Sequence, residues 1–372
     1  MKDTILFGDC KETLSAFLPQ SARTCVTSPP YYGLRDYGTA TWIGGDPNCK
    51  HRKVGKQGSN CITGHKNHDD MGSVGDYIFK SVCPLCGAVR QDSQLGLEET
   101  PEEYIESLVS VFREVRNILT DDGTLWVNLG DSYYNYRPGK GQSYPKQSVS
   151  KTKQDLPDEC NKRGKKLDGL KEKDLIGIPW LFAFAMRKDG WYLRQDIIWH
   201  KPNPMPESVK DRCTKSHEYI FLFSKNRKYF YDNEAIKEPA KDWGTRDRTK
   251  GKYHNTGTGL QPHSGLTKSY DRKNKRSVWS VTVKPYKEAH FATYPPDLIE
   301  PCILAGSEEG DIVLDPFMGA GTTAAVAKSL DRHYIGCELN ENYGSLIEKR
   351  INDYQPVNKV AQEPCINILD II

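Results

Sequence analysis

A glycine-rich turn between an apolar run and an alanine-rich run constrains the fold of this chain more than any other feature. Residues 311–315 form a short apolar strand pattern that ends in Asp315, and residues 316–323 follow with two glycines and two threonines. A helical pattern through Leu330 and a second strand pattern at 334–337 complete a strand–helix–strand unit. The two strands of such a unit lie parallel, because the helix carries the chain back along the sheet. The sequence therefore predicts an α/β protein.

The same unit indicates what the fold binds. Glycines at a strand-to-helix turn let the backbone approach a ligand closely, but the phosphate-binding G-x-G-x-x-G pattern and a Walker lysine are absent. Asp315 ends the first strand, where a carboxylate can meet an ammonium group. Glu338 ends the second strand, where it can accept both hydroxyls of a ribose. An amino acid joined to adenosine predicts S-adenosylmethionine, and a purely structural turn is the alternative.

A second loop carries features suited to an amine substrate. The short strand pattern at 24–26 runs into Ser28, Pro29, Pro30 and Tyr31. A base amine is a poor nucleophile because its lone pair is delocalised into the ring, so acceptors aimed at its N–H bonds must draw that pair back onto nitrogen. Ser28 Oγ and the Pro29 carbonyl can accept those bonds, the two prolines stiffen the loop, and Tyr31 offers a stacking face to an extruded base. A proline-rich surface turn is the alternative.

Together, the loops at 27–33 and 315–323 resemble those of the DNA amino-methyltransferases, which carry (Asp/Asn/Ser)-Pro-Pro-(Tyr/Phe) and Asp-Pro-Phe-x-Gly-x-Gly-Thr-Thr. The catalytic loop precedes the cofactor loop, which resembles the permuted β arrangement with its target-recognition region between them. Four further segments share the family pattern in the same order: 8–9, 123–128, 193–202 and 290–295.

This resemblance implies a Rossmann-like S-adenosylmethionine-dependent methyltransferase fold, with a mixed, mainly parallel seven-stranded sheet and helices on both faces. It implies a catalytic loop formed by Ser28, Pro29, Pro30 and Tyr31. It also implies that 315–323 holds the methionine part of the cofactor, Glu338 the ribose, and Asp9 the neighbourhood of the adenine. The full set of cofactor-binding residues that it implies is Asp9, Phe291, Thr293, Asp315, Pro316, Phe317, Gly319, Gly321, Thr322, Thr323 and Glu338.

The resemblance also bears on the target base. Serine in the position of Ser28 is typical of cytosine-N4 enzymes, whereas Asp or Asn is commoner in adenine-N6 enzymes. We therefore expect site-specific transfer of a methyl group from S-adenosylmethionine to N4 of cytosine in DNA, after base flipping. An adenine-N6 enzyme of the same fold stays open, as does a catalytically inactive, zinc-containing DNA-binding protein. RNA and protein amides are weaker substrate candidates.

An insertion rich in Gly, Asn and His interrupts the pattern at 36–95. Cys83 and Cys86 have the spacing of a zinc knuckle, and Cys49 with His51 can complete a closed tetrahedral Cys₃His site. Such a site would be structural and would hold together a segment too poor in apolar residues to fold alone. Free surface thiols are the alternative, and Cys61, His65 and His68 are further ligand candidates.

Charge is concentrated in one part of the chain. The stretch 237–287 has thirteen Lys/Arg and four Asp/Glu, a net +9, whereas the rest of the chain sums to −6. With Trp243, Tyr253 and Tyr270 interleaved, this stretch predicts phosphate contacts and part of the base reading on DNA. A solvated loop with no partner is the alternative.

These patterns predict a chain of several parts. The catalytic half is expected at 1–35 and 96–235, the zinc-binding insertion at 36–95, the basic target-recognition region at 236–288, and the cofactor-binding half at 289–372. Eleven cysteines in a chain without a secretion signal or a membrane-length apolar run predict reduced thiols, a cytoplasmic location and no membrane partner. A restriction endonuclease partner is compatible with the function, and monomer and homodimer both stay open.

Local signals for individual elements are strongest in the catalytic half. Residues 100–103 form a capping box with proline at the first helical position, and apolar spacing continues the predicted helix to Leu119. A core strand is predicted at 124–129.

His200 and His217 are predicted to be structural histidines, because methyl transfer to an amine requires no general base of low pKa.

Overall fold

The computed structural model of the chain describes residues 2–33, 39–49, 51, 54–55, 77–78, 82–83, 85–134, 167, 169–240, 271–284 and 293–355. The strands in these residues are β1 Thr4–Phe7, β2 Ala22–Thr27, β3 Thr41–Ile43, β4 Val54–Gly55, β5 Tyr77–Ile78, β6 Val89–Gln91, β7 Leu119–Leu129, β8 Tyr192–His200, β9 His217–Ser224, β10 Glu238–Pro239, β11 Arg272–Lys273, β12 Val278–Ser280, β13 Ile312–Asp315 and β14 His333–Glu338. The α-helices are α1 Cys10–Thr13, α2 Pro101–Ile118, α3 Ile178–Lys188, α4 Pro296–Gly306, α5 Thr322–Ser329 and α6 Gly344–Asp353.

A mixed sheet forms the centre of the molecule, in the order β1-β14-β13-β2-β7-β9-β8-β12. Its pairs are parallel except β7–β9 and β9–β8, so the predicted mixed, mainly parallel sheet is confirmed. The described sheet has eight strands where seven were expected. The additional strand is β12, which lies in the stretch assigned to target recognition and pairs Trp279 with Trp199. Trp279 is buried, and the removal of its large apolar side chain from water stabilises the pairing of this short edge strand with the sheet.

The sheet joins strands that are distant in sequence. β13 and β14 come from the last part of the described chain, yet they lie between β1 and β2. Thr4 is paired with Ile335, and Val313 with Thr24. The predicted catalytic and cofactor-binding halves therefore share one sheet, and the loops that leave β2 and β13 start side by side.

Helices cover both faces of the sheet, as expected. Consecutive side chains of a strand point to opposite faces. Cys25 accordingly packs in the core formed with α2 and α3, whereas Val26 packs in the core formed with α4 and α5. On β7, Leu125 faces the first core and Trp126 the second. Both cores contain many large apolar side chains, so the sheet is buried on both faces. The residues at the carboxyl ends of its central strands are therefore held in fixed positions.

The predicted capping box is confirmed at the start of α2. Thr100 Oγ1 accepts from the Glu103 amide at 3.2 Å, and the Glu103 carboxylate accepts from the Thr100 amide at 3.2 Å. Two amides that lack partners within the helix are thus satisfied. The helix begins at Pro101 and ends at Ile118, where its last turn passes directly into β7.

Among the described residues, three short antiparallel pairs lie outside the sheet: β3 with β6, β4 with β5, and β10 with β11. The first two belong to the predicted insertion. Its last residue, Leu95, packs in the core with α2 rather than in the insertion itself. None of the helices in the described part of the chain is both long and apolar enough to cross a bilayer.

Candidate functional site

The two loops identified from sequence line the same cavity. The Ser28 loop leaves the carboxyl end of β2, and the Pro316 loop leaves the carboxyl end of its parallel neighbour β13. Ligands of open α/β sheets bind at this edge. The cavity between the loops measures ≈ 520 Å³. The predicted site residues that line it are Asp9, Ser28, Pro29, Pro30, Tyr31, Thr293, Pro316, Phe317, Gly319, Thr322 and Glu338.

The remaining predicted cofactor residues are placed differently. Asp315 and Thr323 are fully buried behind the cavity wall, and Gly321 caps the start of α5. Phe291 lies outside the described residues. The structure therefore brings together most of the predicted set, but it separates residues that can contact a ligand from residues that shape the loop.

The Asp315 carboxylate organises the loop. Its Oδ1 accepts from Thr27 Oγ1 at 2.6 Å and from the Phe317 amide at 3.0 Å. Its Oδ2 accepts from Thr323 Oγ1 at 2.6 Å and from Tyr294 OH at 3.1 Å. Burial raises the pKa of Asp315, and these hydrogen bonds oppose the rise. The carboxylate thus ties the end of β2 to the cofactor loop and does not face a ligand ammonium group directly.

Glu338, at the end of β14, faces the cavity. Its Oε2 accepts from the Gly319 amide at 2.7 Å, and its Oε1 accepts from the Asn340 amide at 2.9 Å. Each oxygen retains acceptor capacity, because a carboxylate offers about four lone-pair sites. Burial raises the pKa of Glu338 to about 7. The group can therefore accept two hydroxyls when ionised, and it loses that capacity on protonation near neutral pH.

Asp9 lies next to Glu338, because β1 and β14 are parallel neighbours in register. Phe7 is paired with Glu338, and the Gly8 amide donates to the Glu338 carbonyl at 2.9 Å. Asp9 caps α1 by accepting from the Lys11 amide at 2.9 Å. The acidic pair at this end of the cavity is thus fixed by the sheet and by a helix cap.

The Ser28 loop is held from outside the cavity. Tyr104 OH, on α2, donates to the Pro30 carbonyl at 2.7 Å. Pro29 is buried, whereas Ser28 is partly exposed and lines the cavity. The carbonyl that Tyr104 engages belongs to Pro30, so the acceptors proposed for a substrate amine, Ser28 Oγ and the Pro29 carbonyl, are different atoms.

Tyr31 is fixed more tightly than the sequence indicated. Its hydroxyl donates to Glu218 Oε2 at 2.8 Å and lies 3.1 Å from Asn128 Oδ1. Burial, followed by the charge of Glu218, raises the pKa of Tyr31 well above its ordinary value. Its ring packs on Gly130, where an added Cβ would lie 2.5 Å from Tyr31 Cε2. Gly130 therefore provides the space that this ring occupies.

Sequence reasoning missed the acid that anchors Tyr31. Glu218 is ion-paired with Lys201, whose ammonium lies 4.3 Å above the ring of Trp199. Lys201 and Trp199 fall in the segment 193–202 that the family resemblance singled out, but Glu218 is the second residue of β9, in a run with no motif. The only available signal was a charged residue next to an apolar strand.

The two histidines set aside as structural occupy different places. His200 Nδ1 lies 3.0 Å from Ser280 Oγ on β12, which suits a structural role. His217 lines the cavity. Burial and then Lys215 lower the pKa of His217, so this imidazole is neutral at neutral pH.

The four predicted metal ligands come together in the insertion. Ligand atoms of Cys49, His51, Cys83 and Cys86 all lie within 4.8 Å of one another. Cys49 Sγ is 3.9 Å from Cys83 Sγ, and Cys86 Sγ is 3.6 Å from His51 Nδ1. Zn–S and Zn–N bonds of about 2.3 and 2.0 Å give S···S and S···N tetrahedral edges of about 3.8 and 3.5 Å. The Cys49–Cys83 and Cys86–His51 distances are close to these edges. Cys61, His65 and His68 lie outside the described residues.

The basic stretch is described only at its ends. There Glu238 pairs with Arg276 at 2.7 Å and with Lys273 at 3.8 Å, beside the short β10–β11 pair. Trp243, Tyr253 and Tyr270 lie outside the described residues.

Comparisons with known proteins show the family of this chain and its fold. A family model for N6/N4 methyltransferases, described as DNA methylase, matches residues 22–349. The type II methyltransferase M.SmaI of Serratia marcescens is 40% identical over 352 residues, covering 93% of this chain and 90% of that protein. M.Cfr9I of Citrobacter freundii, also a type II methyltransferase, is 38% identical over 348 residues, covering 94% and 87%. The solved PvuII DNA methyltransferase (cytosine-N4-specific) aligns with a TM-score of 0.53 at 16% identity, covering 95% of this chain and 89% of that one.

The family model and the similar proteins identify the class of this chain as DNA methyltransferase. The chain belongs to the N6/N4 family of DNA methyltransferases. The predicted resemblance is thus confirmed, and the resemblance to PvuII methyltransferase shows the same fold.

Gly130→Ala tests the seat of Tyr31. The added methyl group overlaps the Tyr31 ring, which must move, and misplacing a catalytic group by about 1 Å costs about a hundredfold in rate. We expect methyl transfer to DNA to fall by that order while affinity for the cofactor changes little. Radiolabelled methyl incorporation and calorimetry measure the two effects. Gly344→Ala is the control, since its new methyl group meets only the Phe7 ring at 3.4 Å. Full activity of Gly130→Ala would contradict the assignment.

Proposed function

We propose that this protein transfers a methyl group from S-adenosylmethionine to the N4 amine of cytosine in DNA. The observation that carries the proposal is the shared cavity, which is lined both by Ser28 and by the Pro316–Gly319 loop. A cofactor and an extruded base can therefore meet in one enclosed space, as transfer between them requires.

The cavity suits the cofactor in size and chemistry. Its volume of ≈ 520 Å³ falls within the range of about 300–1,000 Å³ that small-molecule sites occupy. Glu338 supplies the carboxylate for two ribose hydroxyls, Asp9 lies beside it for the adenine end, and Phe317 gives an apolar surface. Bound there, S-adenosylmethionine supplies a methyl group activated by its sulfonium sulfur.

The Ser28 loop activates the amine. When Ser28 Oγ and the Pro29 carbonyl accept the two N–H bonds, the nitrogen lone pair is drawn out of the ring and becomes available for attack. With the methyl donor bound, the N–C bond would form as the methyl–sulfur bond broke, the electron pair of that bond would stay on sulfur, and the amine would then release its surplus proton to solvent. The hydroxyl of Tyr31 is fixed by Glu218 and Asn128, and its ring stacks on the extruded base and aligns the amine with the methyl group.

Cytosine is preferred to adenine because of the residue at position 28. Serine in that position is typical of cytosine-N4 enzymes of the family that this chain resembles, whereas a carboxylate or amide there is commoner in adenine-N6 enzymes. The PvuII enzyme, which shares the fold, is titled cytosine-N4-specific. An adenine-N6 enzyme is the second candidate and differs only in its product.

The partners follow from charge and from the relatives. The basic stretch 237–287 supplies phosphate contacts on DNA, in keeping with its net +9. The similar proteins from Serratia marcescens and Citrobacter freundii are named type II methyltransferases. We propose that this chain likewise protects the recognition site of a restriction endonuclease.

We also propose that Cys49, His51, Cys83 and Cys86 bind one structural zinc ion. The four residues offer one ligand atom each within 4.8 Å of one another, and four is the number that a closed tetrahedral zinc site takes, so no position would be left for substrate. Metal analysis of protein purified without added zinc is expected to give one equivalent.

The target base is tested by the product. Nucleosides from the DNA of cells that express the protein should contain N4-methylcytosine, because the Ser28 loop acts on that amine. Mass spectrometry identifies it, and cells expressing Ser28→Ala provide the matched background. N6-methyladenine in its place would overturn the choice of base while leaving the methyltransferase assignment intact.

Ser28→Ala and Asp315→Ala separate chemistry from cofactor binding. Ser28→Ala removes one acceptor for the amine, so turnover should fall about a hundredfold or more with cofactor affinity nearly intact. Asp315→Ala removes the carboxylate that holds Thr27, Thr323 and the Phe317 amide, so cofactor affinity should fall. Single-turnover kinetics and calorimetry distinguish the two effects. The reverse pattern would refute both roles.

The raised pKa of Glu338 predicts a pH-dependent affinity. The ionised carboxylate accepts the ribose hydroxyls, so affinity for S-adenosylmethionine should be fully present above about pH 7 and lost as the pH falls through that value. At one unit below its pKa about a tenth of the group is ionised, so affinity at pH 6 should be about tenfold lower. Calorimetry from pH 5.5 to 8.5 measures the profile. Glu338→Gln is isosteric and should remove this step; a step that persists belongs to another group.

A further inference from the structure

The metal cluster is joined to the catalytic cavity by a two-stranded ribbon. β3 leads to Cys49 and His51, and Cys83 with Cys86 leads into β6. The strands are antiparallel, pairing Ile43 with Val89 at the metal end. There the Cys83 amide donates to the Ala88 carbonyl at 2.7 Å. An added Cβ at Gly45 would lie 2.8 Å from Cys86 Sγ, so the two arms of the ribbon pack closely around the ligands.

The opposite end of the ribbon reaches the cavity. Beyond the Thr41–Gln91 pair, Thr39 Oγ1 donates to Asp92 Oδ1 at 3.3 Å. The same carboxylate oxygen accepts from the backbone N–H of Gln94 at 3.1 Å. Thr39 and Gln94 both line the cavity that contains Ser28, and Gln94 is only 7% exposed. A ribbon with metal ligands at one end therefore delivers a buried amide side chain to the substrate cavity at the other.

The residues after Gln94 also contact the catalytic loop. The Gly33 amide donates to the Gly96 carbonyl at 2.8 Å. An added Cβ at Gly96 would lie 2.8 Å from the Tyr31 carbonyl, so the two backbones are in close contact. Leu95, between them, is buried in the core with α2. The position of Gln94 is thus set from one side by the protein core and from the other by the ribbon.

We propose that the zinc-bound ribbon forms part of the base pocket, in which it holds Gln94 against the extruded base as a binding residue. The inference rests on the proposed methyl transfer to a base and adds a base-contacting side chain to it. A glutamine amide carries two N–H donors and one carbonyl acceptor, which complement the ring edge of a nucleobase. The metal would hold the ribbon in one conformation before the base arrives. Without it, binding of the base would also have to order the ribbon, and the entropy lost would weaken the binding.

Two variants separate the base contact from the metal. Gln94→Ala should retain one equivalent of zinc and normal cofactor affinity, yet lose about tenfold to a hundredfold in kcat/KM for duplex DNA. Gln91→Ala is the matched control, because Gln91 lies on the same ribbon and is exposed. The double variant Cys83→Ser/Cys86→Ser should lose zinc and show a comparable defect, whereas Cys213→Ser alters an exposed cysteine outside the cluster and should behave as wild type.

Reversible metal removal provides the test for the case in which the cysteine variant does not fold. Chelator-treated protein should lose methyl transfer while binding S-adenosylmethionine normally, and added zinc should restore transfer. Wild-type protein without zinc, undiminished transfer after zinc removal, or a Gln94→Ala variant with wild-type kcat/KM would each overturn the proposal. Product analysis on the same samples distinguishes failure of this proposal from failure of the proposed function. N6-methyladenine from the wild-type protein would contradict the choice of cytosine. The roles of Gln94 and zinc are judged separately, from the rates of methyl transfer.

Discussion

The buried carboxylate of Asp315 is the interaction on which the site depends. A charge enclosed in a protein interior is costly unless hydrogen bonds satisfy it, and here four donors converge on its two oxygens. Those donors come from the end of β2, the start of α5, the cofactor loop and the segment before α4. One side chain therefore fixes where the Ser28 loop begins relative to the Pro316 loop. The proposed alignment of methyl donor and acceptor depends on this placement.

Sheet topology makes that interaction possible. Parallel neighbours end at the same edge, so the loops after β2, β13 and β14 meet regardless of their distance along the chain. The antiparallel strands β9 and β8 then supply the second wall, with Glu218 and Lys201 fixing Tyr31 from the far side. The cavity therefore has one wall from the parallel strands and another from the antiparallel strands.

Features encoded by local spacing were predictable from sequence. The capping box at Thr100, the strand–helix–strand unit ending in Glu338, and the Cys/His set each depend on residues close in sequence or on a fixed motif. What sequence did not reveal depends on pairing between distant segments. The role of Asp315 as an internal hub required knowledge of Thr27 beside it, and the anchoring of Tyr31 required Glu218 across the cavity. The edge strand β12 escaped prediction because three residues carry almost no periodicity.

The position of β13 and β14 inside the sheet also affects how the protein is made. In the described sheet β1 pairs only with β14, and β2 lies between β13 and β7. Two strands from the start of the chain therefore pair with strands that follow them by about three hundred residues. Long-range pairing of this kind slows folding and leaves sheet edges exposed in the meantime. A fragment that lacks β13 and β14 cannot form the cavity between the Ser28 and Pro316 loops, because one of its two walls is missing. The cavity is therefore completed only when these two strands join the sheet.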